Sequence, residues 1–208
     1  MERPSKESRF SELSLFDQTI RGQGYQVIAG VDEAGRGPLA GPVVAAACIL
    51  PSKNTFVGVD DSKKLTPIQR RTLFEALISD QDVIYGIGII SAEEIDKINI
   101  YQATIRAMMQ AISALTMSPD LLLVDGMPLI YTSIPSQKVI RGDSKSLSIA
   151  AASIIAKETR DRLMAEFHGT WPMYGFDRHK GYGTPMHLQA LEKYGPSPIH
   201  RRTFARVC

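Results

Sequence analysis

The segment from residue 27 to residue 42 constrains this chain more than any other, because an apolar run in it ends at two carboxylates. Residues 27–31 predict a buried strand, and Asp32 and Glu33 follow directly. A turn with three glycines and two prolines comes next. Carboxylates at the end of a buried strand lose hydration, which costs free energy unless a cation lies nearby. By itself the segment fits a cation site, or a strand end whose acids stay in water.

Residues 35–40 also fit the G-x-G-x-x-A form of the dinucleotide-binding turn. That turn should open a helix whose N-terminus binds a diphosphate. Residues 43–50 instead lie between two prolines and are apolar throughout, which predicts a second buried strand. The two carboxylates before the glycines would also repel a diphosphate. The sequence therefore disfavours a dinucleotide site, and the short connection predicts that the two strands pair antiparallel.

Length and composition bound the class of protein. The 208 residues suffice for one domain with a sizeable core, and no apolar run reaches the roughly 18 residues of a membrane span. The N-terminus has no signal-peptide core, and Cys48 and Cys208 form neither a disulfide framework nor a metal pattern, so we expect a cytoplasmic protein. No sequence feature suggests more than a monomer. The net charge of +2 divides into −4 over residues 1–137 and +6 over residues 138–208. This asymmetry fits a face that binds a polyanion, or a chance excess on a solvated surface.

Periodicity and cap residues predict the order of the elements. Strands are expected at residues 25–32, 43–50, 83–90, 121–124 and 139–140. Helices are expected at residues 10–20, at 67–79, from the cap at Ser91 to Met117 with a break near Asn99, and at 144–168. An irregular loop is expected at residues 171–184, and two short helices are expected to open at Thr184-Pro185 and Ser197-Pro198.

Three apolar runs end in acids, and this repetition is the strongest chemical signal in the chain. The acids are, in order, Asp32 with Glu33, Asp125 and Asp143. If the strands share a sheet in which the first lies beside the fourth, these acids meet at one edge. Such hard oxygen ligands suit Mg²⁺ or Mn²⁺, whereas zinc prefers cysteine and histidine. Two such ions about 4 Å apart could activate a water and stabilise a leaving oxygen in phosphodiester hydrolysis.

Other titratable residues compete less well for this site. Asp161 lies 18 residues after Asp143 on the same predicted helix, about 27 Å along its axis, so it cannot reach the same ions. Asp60 and Asp61 belong to a charged loop that is expected to be solvated. The candidates for general acids lack a nucleophile partner and are expected at the surface or beside phosphates: His179, His187 and His200.

Four blocks of the sequence together resemble one known family. Residues 32–43 (DEAGRGPLAGPV) resemble the opening signature of bacterial type 2 ribonuclease H, the ribonuclease HII family. The later blocks match in the family's order: residues 61–65 (DSKKL), 142–146 (GDSKS) with 148–157, and 179–184 (HKGYGT). Because four independent blocks would have to coincide, the resemblance is specific.

The resemblance implies an α/β fold of the ribonuclease H-like type. Its mixed five-stranded sheet has three antiparallel strands followed by two parallel ones, flanked by helices, with a small C-terminal helical appendage. It also implies three parts packed as one domain: an N-terminal tail and short helix (1–24), a catalytic core (25–170), and a C-terminal loop with helices (171–208).

The resemblance further implies an endonuclease with two substrates. It would hydrolyse the RNA strand of RNA–DNA hybrids and cleave duplex DNA on the 5′ side of embedded ribonucleotides. The products would carry 3′-hydroxyl and 5′-phosphate ends, and Mg²⁺ or Mn²⁺ would be required. By position, the implied catalytic and metal-binding residues are Asp32, Glu33, Asp125 and Asp143.

Six residues are implied to bind the substrate: Gly35, Arg36, Gly37, Lys63, Lys64 and Tyr182. Residues 35–37 would sense the ribose 2′-hydroxyl at the RNA–DNA junction. The chemistry is suitable, because glycines let the backbone approach a sugar closely and an arginine can contact a phosphate. Tyr182 would pack on the neighbouring deoxyribose, and Lys63 and Lys64 would contact phosphates.

One departure and several alternatives remain at this point. Asp60 stands where many relatives have asparagine. The sibling type 3 enzymes have an extra N-terminal domain and lack the arginine between the glycines, so the short segment before the first strand disfavours that type. The alternative functions are a hybrid-binding module without catalysis, and a nuclease of the same fold that cuts plain DNA.

Overall fold

The structure, a computed structural model, describes residues 5–53, 55–130 and 132–207. The strands in this part of the chain are β1 (Ile28–Ala34), β2 (Val43–Ile49), β3 (Ile84–Ile90), β4 (Leu121–Asp125) and β5 (Ser136–Val139). The α-helices are α1 (Lys6–Arg21), α2 (Pro67–Ser79), α3 (Ala92–Ser113), α4 (Leu147–Thr170), α5 (Phe176–His179) and α6 (Pro185–Tyr194), with 3₁₀ turns at Gly142–Ser144 and Pro172–Tyr174. None of these helices combines the length and apolar character that crossing a membrane requires.

The strands form one five-stranded sheet in the order β3-β2-β1-β4-β5. β2 pairs antiparallel with β1 and β3, and β4 pairs parallel with β1 and β5. The predicted α/β fold, with three antiparallel strands followed by two parallel ones and a helical C-terminal part, is confirmed. Because β1, β4 and β5 run in the same direction, their carboxyl ends meet at one edge of the sheet.

Helices cover both faces of the sheet, so the core has two layers. α3 packs on one face, and α1, α2 and α4 pack on the other. α4 is buried on all sides from Leu147 to Ala156, as its apolar sequence predicts. A Cβ atom at Gly30 in β1 would lie 2.1 Å from the backbone of Ser148 in α4. Glycine at this position therefore lets α4 lie directly on β1.

β1 starts three residues later and ends two residues later than predicted. At its start, the Asp120 carboxylate accepts hydrogen bonds from the backbone N–H groups of Gln26 and Val27, at 3.0 and 2.8 Å. The Asp120 side chain thus takes hydrogen bonds that a neighbouring strand would otherwise accept, so regular strand pairing begins later. At its end, pairing with β2 continues as far as Ala34 opposite Val44, so β1 runs past its acids.

β5 was predicted over residues 139–140 and is found over Ser136–Val139 instead. It pairs with β4 through its backbone, although only Val139 among its residues is buried. Ile140, which the prediction included, is 64% exposed. An edge strand pairs through its backbone on one side, and here its side chains stay mostly exposed. Its sequence therefore shows no apolar pattern that would predict a strand.

The start of α4 differs from the prediction of one helix from residue 144. The chain first forms the 3₁₀ turn Gly142–Ser144, and α4 begins at Leu147. Asp17 of α1 accepts hydrogen bonds from the Ser146 hydroxyl at 2.6 Å and from the Ser148 backbone at 2.9 Å. This buried cap, supplied by a distant helix, places the break between the two elements.

The predicted break in α3 is confirmed at Asn99, whose backbone has a φ of 67°. Its side chain accepts hydrogen bonds from the N–H groups of Tyr101 and Gln102, so it caps the second half of the helix. The helix then ends at Ser113, before the predicted Met117.

The C-terminal part is more regular than predicted in one place and less regular in another. Residues 171–184, expected to be irregular, contain α5 and a 3₁₀ turn. The short helix expected after Ser197 does not form. Instead His200 makes an isolated antiparallel bridge with Ala40, so the tail pairs with the turn that follows β1.

Candidate active site

Three acids meet at the carboxyl edge of the sheet. Asp32 lies near the end of β1, Asp125 is the last residue of β4, and Asp143 lies in the 3₁₀ turn after β5. One carboxylate oxygen from each lies within 4.8 Å of those of the other two. This spacing permits one cation to bind all three. We call these residues the acidic triad.

Glu33, the fourth predicted ligand, lies outside the triad. Successive side chains on a strand point to opposite faces, so Glu33 leaves β1 on the other side from Asp32. Its carboxylate Oε1 pairs with Nη1 of Arg36 at 3.4 Å. Burial raises the pKa of Glu33 against the lowering effect of Arg36, and the charge of Asp125 adds to the rise. Glu33 is thus within electrostatic reach of the triad, and its role as a ligand stays a prediction.

Burial and like charge act together on the triad. Burial holds the pKa of Asp32 well above its usual range, and the charge of Glu33 raises it further. Burial also raises the pKa of Asp143, where Asp61 adds to the rise and Lys63 opposes it. A bound cation would favour the charged forms of these carboxylates. Because the donors are all carboxylate oxygens, the triad fits a hard divalent cation rather than zinc.

Lys63 and Lys64 flank the triad on the loop before α2. The Lys63 ammonium lies 3.3 Å from an oxygen of Asp143, and its side chain is otherwise exposed. The Lys64 ammonium donates to the Ser144 hydroxyl at 2.8 Å. Both predicted phosphate contacts are therefore cations at the border between the triad and solvent.

The prediction that this charged loop is simply solvated is wrong for Asp60. Its carboxylate oxygen lies 3.1 Å from Nη2 of Arg9 in α1. Burial opposes ionisation of Asp60, yet the hydrogen bond from Arg9 and one from its own loop backbone lower its pKa overall. Arg9 also donates to the Ser144 carbonyl at 2.6 Å, so α1 ties the loop to the turn that carries Asp143. Packing of α1, which charge patterning does not reveal, accounts for the difference.

The predicted ribose-sensing segment, residues 35–37, faces Tyr182. Gly35 has a φ of +96°, and a Cβ atom there would lie 2.1 Å from the side chain of Arg160, so the position requires glycine. A Cβ atom at Gly37 would lie 3.9 Å from the Tyr182 ring. Tyr182 is 46% exposed, so its ring is available to a ligand beside this segment. The structure thus brings together Gly37 and Tyr182, which are 145 positions apart in the sequence.

Two buried arginines that were not predicted from the sequence support the turn that follows β1. The Arg201 guanidinium donates to the carbonyl oxygens of Gly35 at 2.5 Å and of Arg36 and Gly41 at 2.9 Å. Arg160 likewise donates at 3.0 Å to three carbonyl oxygens, those of Ala40, Pro42 and Lys180. An arginine on the buried face of an apolar helix is a signal that could have revealed Arg160. Nothing in the polar tail distinguishes Arg201.

The prediction that the three histidines lie at the surface or beside phosphates is wrong, because all three are buried. His200 accepts the Ser197 N–H at Nδ1, and its Nε2 lies 2.9 Å from Nε2 of His187. Nδ1 of His187 lies 2.9 Å from the carbonyl oxygen of Tyr182. The ring of His179 stacks on that of His187, with centroids 4.5 Å apart. We call these residues the histidine cluster.

Hydrogen bonding determines the protonation of the cluster. A carbonyl only accepts, so His187 carries its proton on Nδ1 and accepts at Nε2. A backbone N–H only donates, so His200 carries its proton on Nε2 and donates to His187. Burial lowers the pKa of both rings, to about 4 for His200. Both rings are therefore neutral, and they hold together the Tyr182 loop and the tail.

Asp161 takes no part in the triad, in agreement with the prediction from helix length. Its carboxylate pairs with Arg70 of α2 at 3.2 Å and with Lys157 at 2.7 Å. It is a structural ion pair between α2 and α4.

Comparisons with known proteins agree with this geometry. The family model of ribonuclease HII matches residues 29–207. The ribonuclease HII of Chlamydia pneumoniae is 56% identical over 203 residues, which cover 98% of this chain and 94% of the relative. That of Chlamydia trachomatis is 60% identical over 198 residues, which cover 95% of this chain and 91% of the relative.

A solved structure supports the same assignment. The ribonuclease H2 of Pyrococcus horikoshii OT3 superposes with a TM-score of 0.77 at 31% identity, covering 88% of this chain and 95% of that one. The resemblance that four sequence blocks indicated is thereby confirmed. The chain belongs to the ribonuclease HII family, and it is an endoribonuclease of the ribonuclease H class, which acts on RNA in RNA–DNA hybrids.

Proposed function

We propose that this ribonuclease also cleaves duplex DNA on the 5′ side of embedded ribonucleotides, by two-metal-ion hydrolysis that leaves 3′-hydroxyl and 5′-phosphate ends. The observation that carries the proposal is the adjacency of the acidic triad and residues 35–37. β1 runs from Asp32 directly into this segment, so Asp32 and Gly35 are at most about 10 Å apart along the backbone. A segment proposed to contact a sugar therefore lies close enough to a proposed metal ligand for one stretch of substrate to contact both.

The proposed metal ligands are Asp32, Asp125 and Asp143, with Glu33 at the side, and the proposed ions are Mg²⁺ or Mn²⁺. The oxygen-only donor set and the raised pKa values of Asp32, Glu33 and Asp143 support this assignment. When bound, such ions would supply an activated water and stabilise the leaving oxygen. The three aspartates would keep the ions in fixed positions, because these residues come from the ends of strands in a rigid sheet and from the turn beside it.

Lys63 and Lys64 are proposed to bind the phosphate backbone beside the triad. Lys63 lies against Asp143 but remains mostly exposed, so its ammonium can be shared with a phosphate. Arg36 has the same arrangement with Glu33. Lys63 and Arg36 are each paired with an acid of the site and also open to solvent, which suits a contact that forms when substrate binds.

Residues 35–37 and Tyr182 are proposed to distinguish ribose from deoxyribose. The 2′-hydroxyl is the group that separates the two sugars, and glycines allow backbone groups to approach it. The exposed Tyr182 ring offers a flat apolar face to the neighbouring deoxyribose. A ribonucleotide followed by a deoxyribonucleotide would satisfy both contacts at once.

The test is cleavage of an end-labelled DNA duplex that contains one ribonucleotide, in Mg²⁺ or Mn²⁺. We expect one cut on the 5′ side of the ribonucleotide, with a 3′-hydroxyl end that a polymerase can extend. An RNA–DNA hybrid serves as the positive control and an all-DNA duplex as the negative control. Failure to cut, a cut on the 3′ side, or equal cutting of the all-DNA duplex would refute the proposal.

Matched variants separate the two parts of the site. Asp125→Asn keeps the shape of the side chain and removes its charge, so it should abolish cleavage of every substrate. Tyr182→Ala should impair the one-ribonucleotide duplex more than the long hybrid, whereas Tyr182→Phe, which keeps the ring, should not. Activity that survives Asp125→Asn would exclude the triad as the metal centre.

A further inference from the structure

The Arg201 side chain is buried with 0% exposure, and its guanidinium donates three hydrogen bonds to the turn that follows β1. Burying a cation is costly, so the carbonyl oxygens that surround it must be well placed. They belong to Gly35 and Arg36 at one end of the turn and to Gly41 at the other. One side chain therefore holds both ends of the turn.

The backbone of the tail also pairs with the turn, but only with its later half. The Arg201 N–H donates to the Leu39 carbonyl at 2.9 Å, and the Gly41 N–H donates to the Ile199 carbonyl at 2.8 Å. These bonds stop short of residues 35–37. Within the described residues, contact of the tail with the carbonyls of Gly35 and Arg36 comes from the Arg201 side chain.

The orientation of these two carbonyls also determines the direction of the N–H groups in the same peptide units. In a planar trans peptide, the N–H of one residue points opposite to the C=O of the residue before it. When the carbonyls of Gly35 and Arg36 point inward to Arg201, the N–H groups of Arg36 and Gly37 point outward. No hydrogen bond joins either of these N–H groups to another residue in the described ranges. The Tyr182 ring lies beside this segment, since a Cβ atom at Gly37 would be 3.9 Å from it.

We propose that Arg201 is a positioning residue that aims the N–H groups of Arg36 and Gly37 at the substrate sugar, and thereby sets the preference for ribose over deoxyribose. The inference rests on the proposed function of residues 35–37. It assigns the specificity to a side chain that never touches the substrate. The ligand group is an oxygen that accepts hydrogen bonds, which ribose has at the 2′ position and deoxyribose lacks.

Arg160 supplies a matched control. It is a neighbouring arginine, it is also buried, and it also donates to three carbonyl oxygens. Its side chain packs against Gly35, but its three hydrogen bonds go to the carbonyl oxygens of Ala40, Pro42 and Lys180 rather than to those of Gly35 and Arg36. A lysine at either position keeps the charge but loses the planar fork that reaches several carbonyls. Loss of stability should be similar for the two variants, whereas loss of sugar discrimination should differ.

The experiment measures Kd for two duplexes, one all-DNA and one with a single ribonucleotide, in Mg²⁺ and in an Asp125→Asn background that leaves the substrate intact. We expect the Asp125→Asn protein to bind the ribonucleotide duplex more tightly than the all-DNA duplex. Adding Arg201→Lys should remove most of that preference and change the Kd for all-DNA by less than about threefold, since only the sugar contact is lost. Adding Arg160→Lys should keep the preference.

The outcomes separate the two hypotheses. Equal affinity of the Asp125→Asn background for both duplexes would refute the proposed ribose reading itself. A preference that survives Arg201→Lys, or that Arg160→Lys abolishes equally, would overturn the inference about Arg201 alone. If Arg201→Lys does not fold, the amide proton resonances of Arg36 and Gly37 in the Asp125→Asn protein decide. They should shift with the ribonucleotide duplex and not with all-DNA, and unchanged resonances would overturn the inference.

Discussion

At the carboxyl edge of the sheet, the buried carboxylates of Asp32 and Asp143 face like charge, and burial and their neighbours raise the pKa of both. In the C-terminal part, His187 and His200 are also buried, yet each ring nitrogen has a hydrogen-bond partner of the complementary kind. The acidic triad thus gathers like charge that a cation would neutralise, whereas the polar atoms of His187 and His200 satisfy one another and the backbone. Buried polar groups can therefore serve in two ways. Groups with hydrogen-bond partners stabilise the fold, whereas buried groups of like charge indicate a candidate ligand site.

The largest expected effect is the loss of activity when the triad loses one acid. Asp143→Asn should lower kcat/KM by at least on the order of 1000-fold, because the metal ligand that we propose at this position would contribute mainly in the transition state. The measurement is hydrolysis of an RNA–DNA hybrid in Mg²⁺. Asp161→Asn is the control, since Asp161 belongs to an ion pair between helices and should retain activity. Equal loss in both variants would break the distinction between functional and structural acids.

The next effect in size concerns the histidine cluster. His200→Ala should lower the free energy of unfolding by about 2–4 kcal/mol, because it opens a cavity and leaves groups on Ser197 and His187 without partners. His200→Asn, which retains an acceptor near the Ser197 N–H, should lose less. Urea unfolding measures both. A loss below about 0.5 kcal/mol in the alanine variant would contradict the structural role of the cluster.

The cluster should also make stability depend on pH. Burial lowers the pKa of His200 in the folded state from 6.5 to about 4. Between these values the unfolded state binds a proton that the folded state does not, so the free energy of unfolding falls as pH decreases. The slope for one such histidine is at most about 1.4 kcal/mol per pH unit. Urea unfolding at several pH values between these limits should show this decline, and a smaller slope in His200→Asn; equal slopes would exclude His200 as its source.

The smallest effect has the opposite sign. In the absence of metal, Asp32→Asn should raise the free energy of unfolding by about 1 kcal/mol, because it removes a buried charge that its neighbours repel. Mg²⁺ should raise the Tm of the wild-type protein and leave that of Asp32→Asn nearly unchanged. Calorimetry in EDTA and in Mg²⁺ measures both. Glu93→Gln, which removes an exposed acid of α3, serves as the control. It should change neither the free energy of unfolding nor the rise of Tm in Mg²⁺. Destabilisation by Asp32→Asn would show that the triad is held together as the histidine cluster is.

The sheet was predictable because its buried strands are apolar on both faces. β2 and β4 lie within one residue of their predicted bounds, and the short turn before β2 determined the antiparallel pairing. Convergence of Asp32, Asp125 and Asp143 was predicted on the condition that the first strand lies beside the fourth, which the pairing of β1 with β4 confirms. β5 was misplaced, because an exposed edge strand has backbone partners but no apolar pattern.

The histidines and arginines of the C-terminal part were not predictable in the same way. A polar side chain is buried only where distant backbone groups satisfy it, and the sequence does not reveal those groups. Arg201 and the Gly35 carbonyl that it contacts are 166 residues apart. The same holds for Asp60, a loop residue whose partner Arg9 lies on α1.

The amino-acid sequence by itself determined the buried strands, the acids at their ends and the glycine turn, because apolar periodicity and turn chemistry act over a few neighbouring residues. Only the tertiary structure decided that Glu33 lies apart from the triad, that the histidines are buried and neutral, and that Arg201 supports residues 35–37. Those outcomes depend on which segments meet in space, since burial and hydrogen-bond partners set both the charge and the role of a polar side chain.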